Sequence, residues 1–252
     1  MEFVRLTKDN IEQEHICCAI ANNKDSQVSS KKKWLEERLK EGLVFLKGNV
    51  RGKCFIEYIP AEYAWAPVEA DNYIYINCFW VSGQFKGQGN SNELLNTCIE
   101  DAKQQGKKGL VILSADKKRP YLSDPKYLKY KGFEVVDTAM PYYELLCLKF
   151  DKNSDSPKFM KHVKNPHIDK EGFVLYYSSQ CPFIAKYVPL IEAIAKNKGL
   201  KFEAIHLNSA KQAKMAPAPF TTYSMFYNGD FVTNEIFSEK KFEQMIEKVN
   251  EN

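Results

Sequence analysis

Apolar and polar positions change period repeatedly along the first 150 residues, and each change marks an element. Residues 2–6 alternate as a strand. Asp9 or Asn10 is placed to cap a helix over 11–21. A second helix begins at Ser30 or Lys31 and ends near Gly42, a suitable C-cap. Residues 43–46 and 52–59 read as an antiparallel pair around the turn Asn49-Val50-Arg51-Gly52. A strand over 73–81 is followed by a glycine-containing loop and a helix over 90–105. The apolar run over 108–114 suits a buried parallel strand. Residues 127–134 pass from helix to strand at Gly132-Phe133, and 142–150 form a last apolar strand. The order β-α-α-β-β-β-α-β-α-β predicts an α/β fold, a mixed sheet with helices on both faces.

The texture then changes. Residues 151–170 are polar and turn-rich, with Pro157 and Pro166, and read as a connector. Beyond it, 172–177 reads as a strand, 178–182 as a turn into a helix reaching Lys198, and 201–207 as another strand. A strand over 222–227, the turn Asn228-Gly229-Asp230, a short strand and a helix from Ser238 complete the chain. The expected division is a first domain over 1–150, the connector, and a smaller α/β domain over 171–252.

Composition narrows the function classes. Apolar and charged fractions of 44% and 27% are those of a globular protein. The net charge of +4 is spread along the chain, which argues against nucleic acid as a partner. No apolar stretch approaches the roughly 20 residues that span a bilayer, and residues 1–5 lack the apolar core of a signal peptide. Seven cysteines without framework spacing point to the cytoplasm. The four histidines, His15, His162, His167 and His206, are scattered, so no metal site is expected.

The most informative segment is Gln84-Phe85-Lys86-Gly87-Gln88-Gly89. A strand, a glycine turn and a helix start together make an anion cradle, because backbone N–H groups point outward and glycine lets a phosphate come close. The spacing is neither GxxxxGK[ST] nor GxGxxG. It resembles the Gln-x-x-Gly-x-Gly pyrophosphate loop of GNAT-type acyl-CoA acetyltransferases. Tyr127-Leu128-Lys129-Tyr130-Lys131-Gly132-Phe133 resembles the segment that follows the fifth strand in that family. The C-terminal element order resembles a thioredoxin-like fold, and Pro189 follows Cys181 as the helix-kinking proline follows the first cysteine of thioredoxin. Ile184 stands at the second-cysteine position and Thr221 where a cis-proline is usual, which argues against dithiol chemistry. With the phrase Ile56-Glu57-Tyr58-Ile59-Pro60-Ala61-Glu62-Tyr63-Ala64-Trp65, nearly the whole chain resembles the YoaP-like acetyltransferases.

The resemblance implies acetyl-CoA as cosubstrate and a small-molecule amine as acceptor, joined by direct attack in a ternary complex. It implies that Phe79, Trp80 and Val81 meet the pantetheine arm. It places the pyrophosphate on Gln84, Phe85, Lys86, Gly87, Gln88, Gly89, Asn90 and Ser91. The strand that offers a carboxylate base in many relatives carries none here, so the candidates are Glu57, Glu62 or a base acting through water. Leu128 stands where a thiolate-protonating tyrosine is common, flanked by the candidates Tyr127 and Tyr130. Cys17 and Cys18, expected in the first helix, read as buried. Cys181, at an expected helix N-terminus in a polar loop, is the candidate reactive thiol, with its pKa expected low. Two alternatives stand beside acetyl transfer. One is a CoA-binding, partner-recognising module with little or no catalysis. The other is a monothiol redox protein centred on Cys181.

Overall fold

The computed structural model describes residues 1–18 and 24–250. The chain runs through β1 (Phe3–Arg5), α1 (Ser26–Leu39), β2 (Val44–Gly48), β3 (Cys54–Pro60), β4 (Val68–Glu69), β5 (Ile74–Val81) and α2 (Asn90–Gln104). It continues through β6 (Gly109–Ala115), α3 (Pro125–Tyr130), β7 (Glu134–Ala139), β8 (Tyr143–Lys149) and β9 (Lys158–Phe159). The last part holds β10 (Phe173–Tyr177), α4 (Phe183–Asn197), β11 (Phe202–His206), α5 (Ala210–Lys214), β12 (Tyr223–Tyr227), β13 (Asp230–Thr233) and α6 (Glu239–Asn250).

The large sheet has the order β1-β2-β3-β5-β6-β8-β7. Only β5 and β6 run parallel within it, and the other neighbours are antiparallel. Strand alternation sends side chains to two cores. Ile56, Ile74, Ile76 and Ile112 pack with Leu94, Leu95 and Cys98 of α2 and Leu128 of α3. On the other face Phe45, Phe55, Tyr73 and Tyr75 pack with Trp34 and Leu35 of α1. Each such side chain contributes about 1.5–3 kcal/mol on burial, so this two-sided stacking fixes the register of the central strands.

The smaller sheet has the order β11-β10-β12-β13. Its β10 pairs parallel with β11 and antiparallel with β12. One face buries Phe173, Leu175 and Met225 against Ile184, Val188 and Ile191 of α4 and Phe242 and Ile246 of α6.

Two expectations need correction. The helix over 11–21 is not formed over residues 11–18, where the backbone makes turns, and residues 19–21 lie outside the described residues. Asn10 is the cause. Its Oδ1 accepts from Thr7 N at 2.8 Å and its Nδ2 donates to Arg5 O at 3.0 Å, offering the backbone a local alternative to helix. Ile16, Cys17 and Cys18 are all buried in succession, which one face of a helix cannot do. Helix α1 starts before the expected Ser30, because the Asp25 carboxylate accepts from Gln27 N at 2.8 Å and caps it there. The segment over 151–170, read as a connector, makes contacts of its own. Its β9 pairs with β4, Phe159 N donates to Asp137 at 2.8 Å, and Met160 N donates to Pro67 O at 2.8 Å.

Candidate active site

Pairing between β5 and β6 ends at Ile76↔Ile112, although β5 continues to Val81 and β6 to Ala115. The two parallel strands therefore part and open a wedge at their C-terminal ends. A register shift starts it. Glu57 pairs with Cys78 while Tyr58 pairs with Ile76, which leaves Asn77 as the extra residue of a bulge. A bulge bends its strand and raises the local twist. Past it, Phe79 and Val81 turn their side chains to the α2 layer and Trp80 is 36% exposed. Phe79 meets the Tyr127 ring edge-on at 5.7 Å, and Lys53 Nζ lies 4.2 Å above the Trp80 ring.

The loop after β5 leads straight into α2. Gly87 and Gly89 hold φ of +74° and +81°, a region that favours glycine, and a Cβ on either would meet nothing within 4 Å. The loop thus presents bare backbone outward. Its own side chains close it from behind: Gln88 Nε2 donates to Gln84 O at 2.7 Å, and Asn90 Nδ2 donates to Phe85 O at 2.9 Å. Phe85 is anchored over Gly52, where any Cβ would meet its ring at 2.2 Å. Among the described residues, no backbone carbonyl accepts from the N–H groups of Gly87, Gln88, Gly89, Asn90 or Ser91. These donors stand together at a helix N-terminus, with Lys86 exposed beside them. That is the chemistry a pyrophosphate needs.

The candidate acids and bases fall in different places. Glu57 is buried under α1. Its carboxylate accepts from Lys31 Nζ at 2.5 Å and from Asn77 Nδ2 at 3.1 Å. Burial is the largest single influence on Lys31 and lowers its pKa, but the charge and hydrogen bond of Glu57, together with the neighbouring Cys18 and Cys78, hold it raised, so the ammonium persists. Glu62 lies beyond Pro60, which pairs with Ile74 at the opposite end of β5 from the wedge. There it accepts from Lys107 at 2.8 Å, and although burial is the largest single influence and raises its pKa, the Lys107 bond, a backbone bond and the charges of Lys107 and Lys214 together lower it. Tyr127 donates to Asn92 Oδ1 at 3.2 Å, and burial pushes its hydroxyl up to about 12. Tyr130 is 81% exposed on the outer side of α3, and Leu128 is core. The structure thus brings Glu57 to the wedge, keeps Tyr127 near its mouth through Phe79, and leaves Glu62 and Tyr130 away from it.

Cys181 departs from expectation. Helix α4 is capped by Pro182, so the thiol precedes the cap, and packing half-buries it. Burial pushes its pKa up to about 11, opposite to the lowering expected of a helix N-terminus. Cys17 and Cys18 are buried, as expected, with pKa pushed up to about 11 and about 12.

Sequence reasoning missed the groups that complete the bulge. Lys31 donates also to Gln180 O at 2.8 Å, and Gln180 Nε2 donates to Asn77 O at 3.4 Å. The smaller sheet is therefore seated on the wedge side of the large one. Thr221 Oγ1 bonds Trp65 O, Asn234 Nδ2 donates to Pro120 O at 3.0 Å, and Lys214 Nζ donates to Glu62 O at 2.9 Å. The one available signal was Lys31 itself. It shares the buried stripe of α1 with Val28 and Leu35, and a lysine there requires a buried acid.

A sheet that parts beside an outward-facing N–H loop at a helix start is the architecture of the acetyl-CoA-dependent acetyltransferases, and the chain belongs to the GNAT acetyltransferase family. The family profile "Acetyltransferase (GNAT) family" matches residues 8–120, and a "YoaP-like" profile matches residues 201–244. The chain is 43% identical over 247 residues to the "Uncharacterized N-acetyltransferase YoaP" of Bacillus subtilis (strain 168), covering 98% of each chain. Among solved structures it is similar to a putative GNAT acetyltransferase from Desulfovibrio desulfuricans, at 14% identity and TM-score 0.42, over 59% of this chain and 98% of that one. It is likewise similar to yncA from Salmonella typhimurium with acetyl-CoA, at 14% identity and TM-score 0.42, over 61% and 96%. The chain is an acyltransferase of the GNAT type, and acetyl-CoA is its cosubstrate. Among the described residues, no helix is long and apolar enough to cross a membrane.

Proposed function

We propose that the chain moves the acetyl group of acetyl-CoA to the amine of a small molecule by direct attack in a ternary complex. The observation that carries this reading is the wedge between β5 and β6, which opens beside the unpartnered N–H groups of Gly87 to Ser91. Those N–H groups would hold the pyrophosphate, and the backbone edge of β5 past Ile76 that β6 leaves open, along Phe79 to Val81, would take the pantetheine amides. Bound there, the thioester supplies the activated acetyl group. The protein's part is to orient it and to bring the amine to it, which is worth several orders of magnitude in rate. No covalent relay is required. The thiols nearest the bulge, Cys18, Cys78 and Cys181, all have pKa values raised by burial, and a protonated thiol is a poor nucleophile. The same rise withdraws support from a monothiol redox role.

Glu57 serves as a positioning residue in this reading. Committed to Lys31 and Asn77, it fixes the bulge that parts the strands and holds the ammonium that grips Gln180. The order of the smaller sheet supports its thioredoxin-like description, and its seat on the wedge side supports a role as a wall of the acceptor site. The test is CoA release from acetyl-CoA across a panel of amines, read by mass so that native thiols do not interfere. Release should depend on the amine and should rise with its concentration to saturation. CoA release that no amine accelerates would refute acetyl transfer to amines and leave a CoA-binding module.

A further inference from the structure

A cleft of about 610 Å³ lies between α1 and the smaller sheet. Ser30, Lys33 and Trp34 of α1, Trp65, and Ser179 and His206 from the C-terminal side line it. Ser179 Oγ and His206 Nε2 are 3.0 Å apart. The imidazole lies flat on Tyr177, with ring centroids 4.7 Å apart and planes at 8°, so its orientation is fixed. Ser179 also borders the bulge through the chain. The next residue, Gln180, donates to Asn77 O and receives Lys31. The side chain of the very next residue thus joins the cleft wall to the bulge where β5 leaves β6.

An alkylamine reaches the enzyme as an ammonium and must lose a proton before its nitrogen can attack a carbonyl. Among the described residues, the candidate carboxylates of the first part of the chain are committed elsewhere: Glu57 is buried against Lys31, Asp116 after β6 pairs with Arg119, and Glu62 sits at the far end of β5. We propose that the cleft admits the acceptor amine and that Ser179 and His206 remove its proton. This rests on the acetyl-transfer reading above. Ser179 Oγ accepts the ammonium proton as its own passes to His206 Nε2, so the hydroxyl ends unchanged and the imidazole carries the charge. The neutral amine then forms the C–N bond as the C–S bond of the thioester breaks. A second amine proton goes to the departing CoA thiolate, and the imidazolium returns its proton to solvent at its exposed edge. One ammonium and one thioester thus give one acetamide, one thiol and one proton.

The electrostatics agree with this role. Covering of the ring lowers His206 from the ordinary histidine value of 6.5, so it is neutral and able to accept at pH 7. The other titratable groups of the cleft are Lys33 and Glu37 of α1, with Tyr177 of β10 beneath the ring. Lys33 and Glu37 are both exposed and oppose each other in sign.

The test uses the full chain with acetyl-CoA and four amines: lysine, spermidine, tryptamine and kanamycin A. For the amine used best, His206→Asn and Ser179→Ala should each lower kcat/KM by roughly 100-fold at pH 7. Acetyl-CoA affinity and melting temperature should hold, Ser179→Thr should retain most activity, and added imidazole should restore part of the His206→Asn loss. The wild-type profile should fall on the acid side below the histidine range, and His206→Asn should lack that limb. Wild-type activity with both variants unimpaired would overturn the relay and leave acetyl transfer standing. Binding of acetyl-CoA without acetylation of any of the four amines would overturn the acetyl-transfer reading, and the relay with it.

Discussion

The two ends of the wedge are built in opposite ways. The phosphate end is one contiguous stretch of loop and helix start, exposed, with its chemistry in the backbone: glycines at positive φ and N–H groups without carbonyl partners. The acceptor end is buried and assembled from side chains far apart in the chain. Lys31 comes from α1, Glu57 from β3, Asn77 from the bulge and Gln180 from the loop before α4. On the proposed reading the cosubstrate is met by backbone, which tolerates change in side chains. On the same reading the acceptor end is shaped by groups that the rest of the fold must bring together, so substitution there would alter what is accepted.

That contrast predicts different costs at the two ends. The largest effect is expected at the buried pair. Lys31→Met leaves the Glu57 carboxylate buried without its ammonium and should destabilise the protein by about 3–5 kcal/mol. The double variant Lys31→Met, Glu57→Gln should recover much of that loss, because neither charge is then stranded. Urea unfolding of both singles and the double gives the coupling directly. A single-variant loss under about 1 kcal/mol would show that the pair is not what joins the two sheets.

At the phosphate end the loss should appear in binding. Gly89→Val should weaken acetyl-CoA at least about tenfold, equivalent to about 1.4 kcal/mol. Gly89→Ala carries a similar positive-φ strain of about 1–2 kcal/mol with less bulk, so it should weaken binding less. Calorimetry separates them. Equal losses would assign the effect to strain, and undiminished affinity in both would remove the loop from the cofactor site.

The smallest effect is the response of stability to acid. His15 and His206 both have pKa values lowered in the folded protein, chiefly by burial. Below their ordinary value of 6.5 the unfolded chain binds more protons than the folded one, so stability should fall as pH drops through that window and stay level above it. His206→Gln should flatten the fall without removing it, since His15 remains. Chemical denaturation between pH 5 and 7 measures both slopes, and identical slopes would mean that His206 titrates as it does in the unfolded chain.

Much of the first sheet was legible in order, because its strands carry two-sided apolar patterns and its loop carries glycines whose role is local. The bulge was not. Asn77 sits inside a continuous apolar run, and only the pairing of β3 with β5 shows that one residue there is extra. The absent helix over residues 11–18 follows the same rule. Asn10 is a good cap by type, but it spends its side chain on Thr7 and Arg5. Cys181 was misjudged in acidity for a related reason. Its place before a helix is a sequence feature, whereas the burial that raises its pKa exists only once the distant elements around it have packed.

The sequence by itself determined the period of each strand and helix and the glycine loop that exposes its N–H groups, and its resemblance to the GNAT acetyltransferases implied the cosubstrate. The period and the loop depend on dihedral preferences and hydrophobic spacing over a few neighbouring residues. The tertiary structure alone decided where β5 leaves β6, that Lys31 is a buried partner of Glu57, and that Gln180, Ser179 and His206 face the first sheet. Charge pairing and desolvation act through space, so their outcome waits on which distant segments the two cores bring into contact.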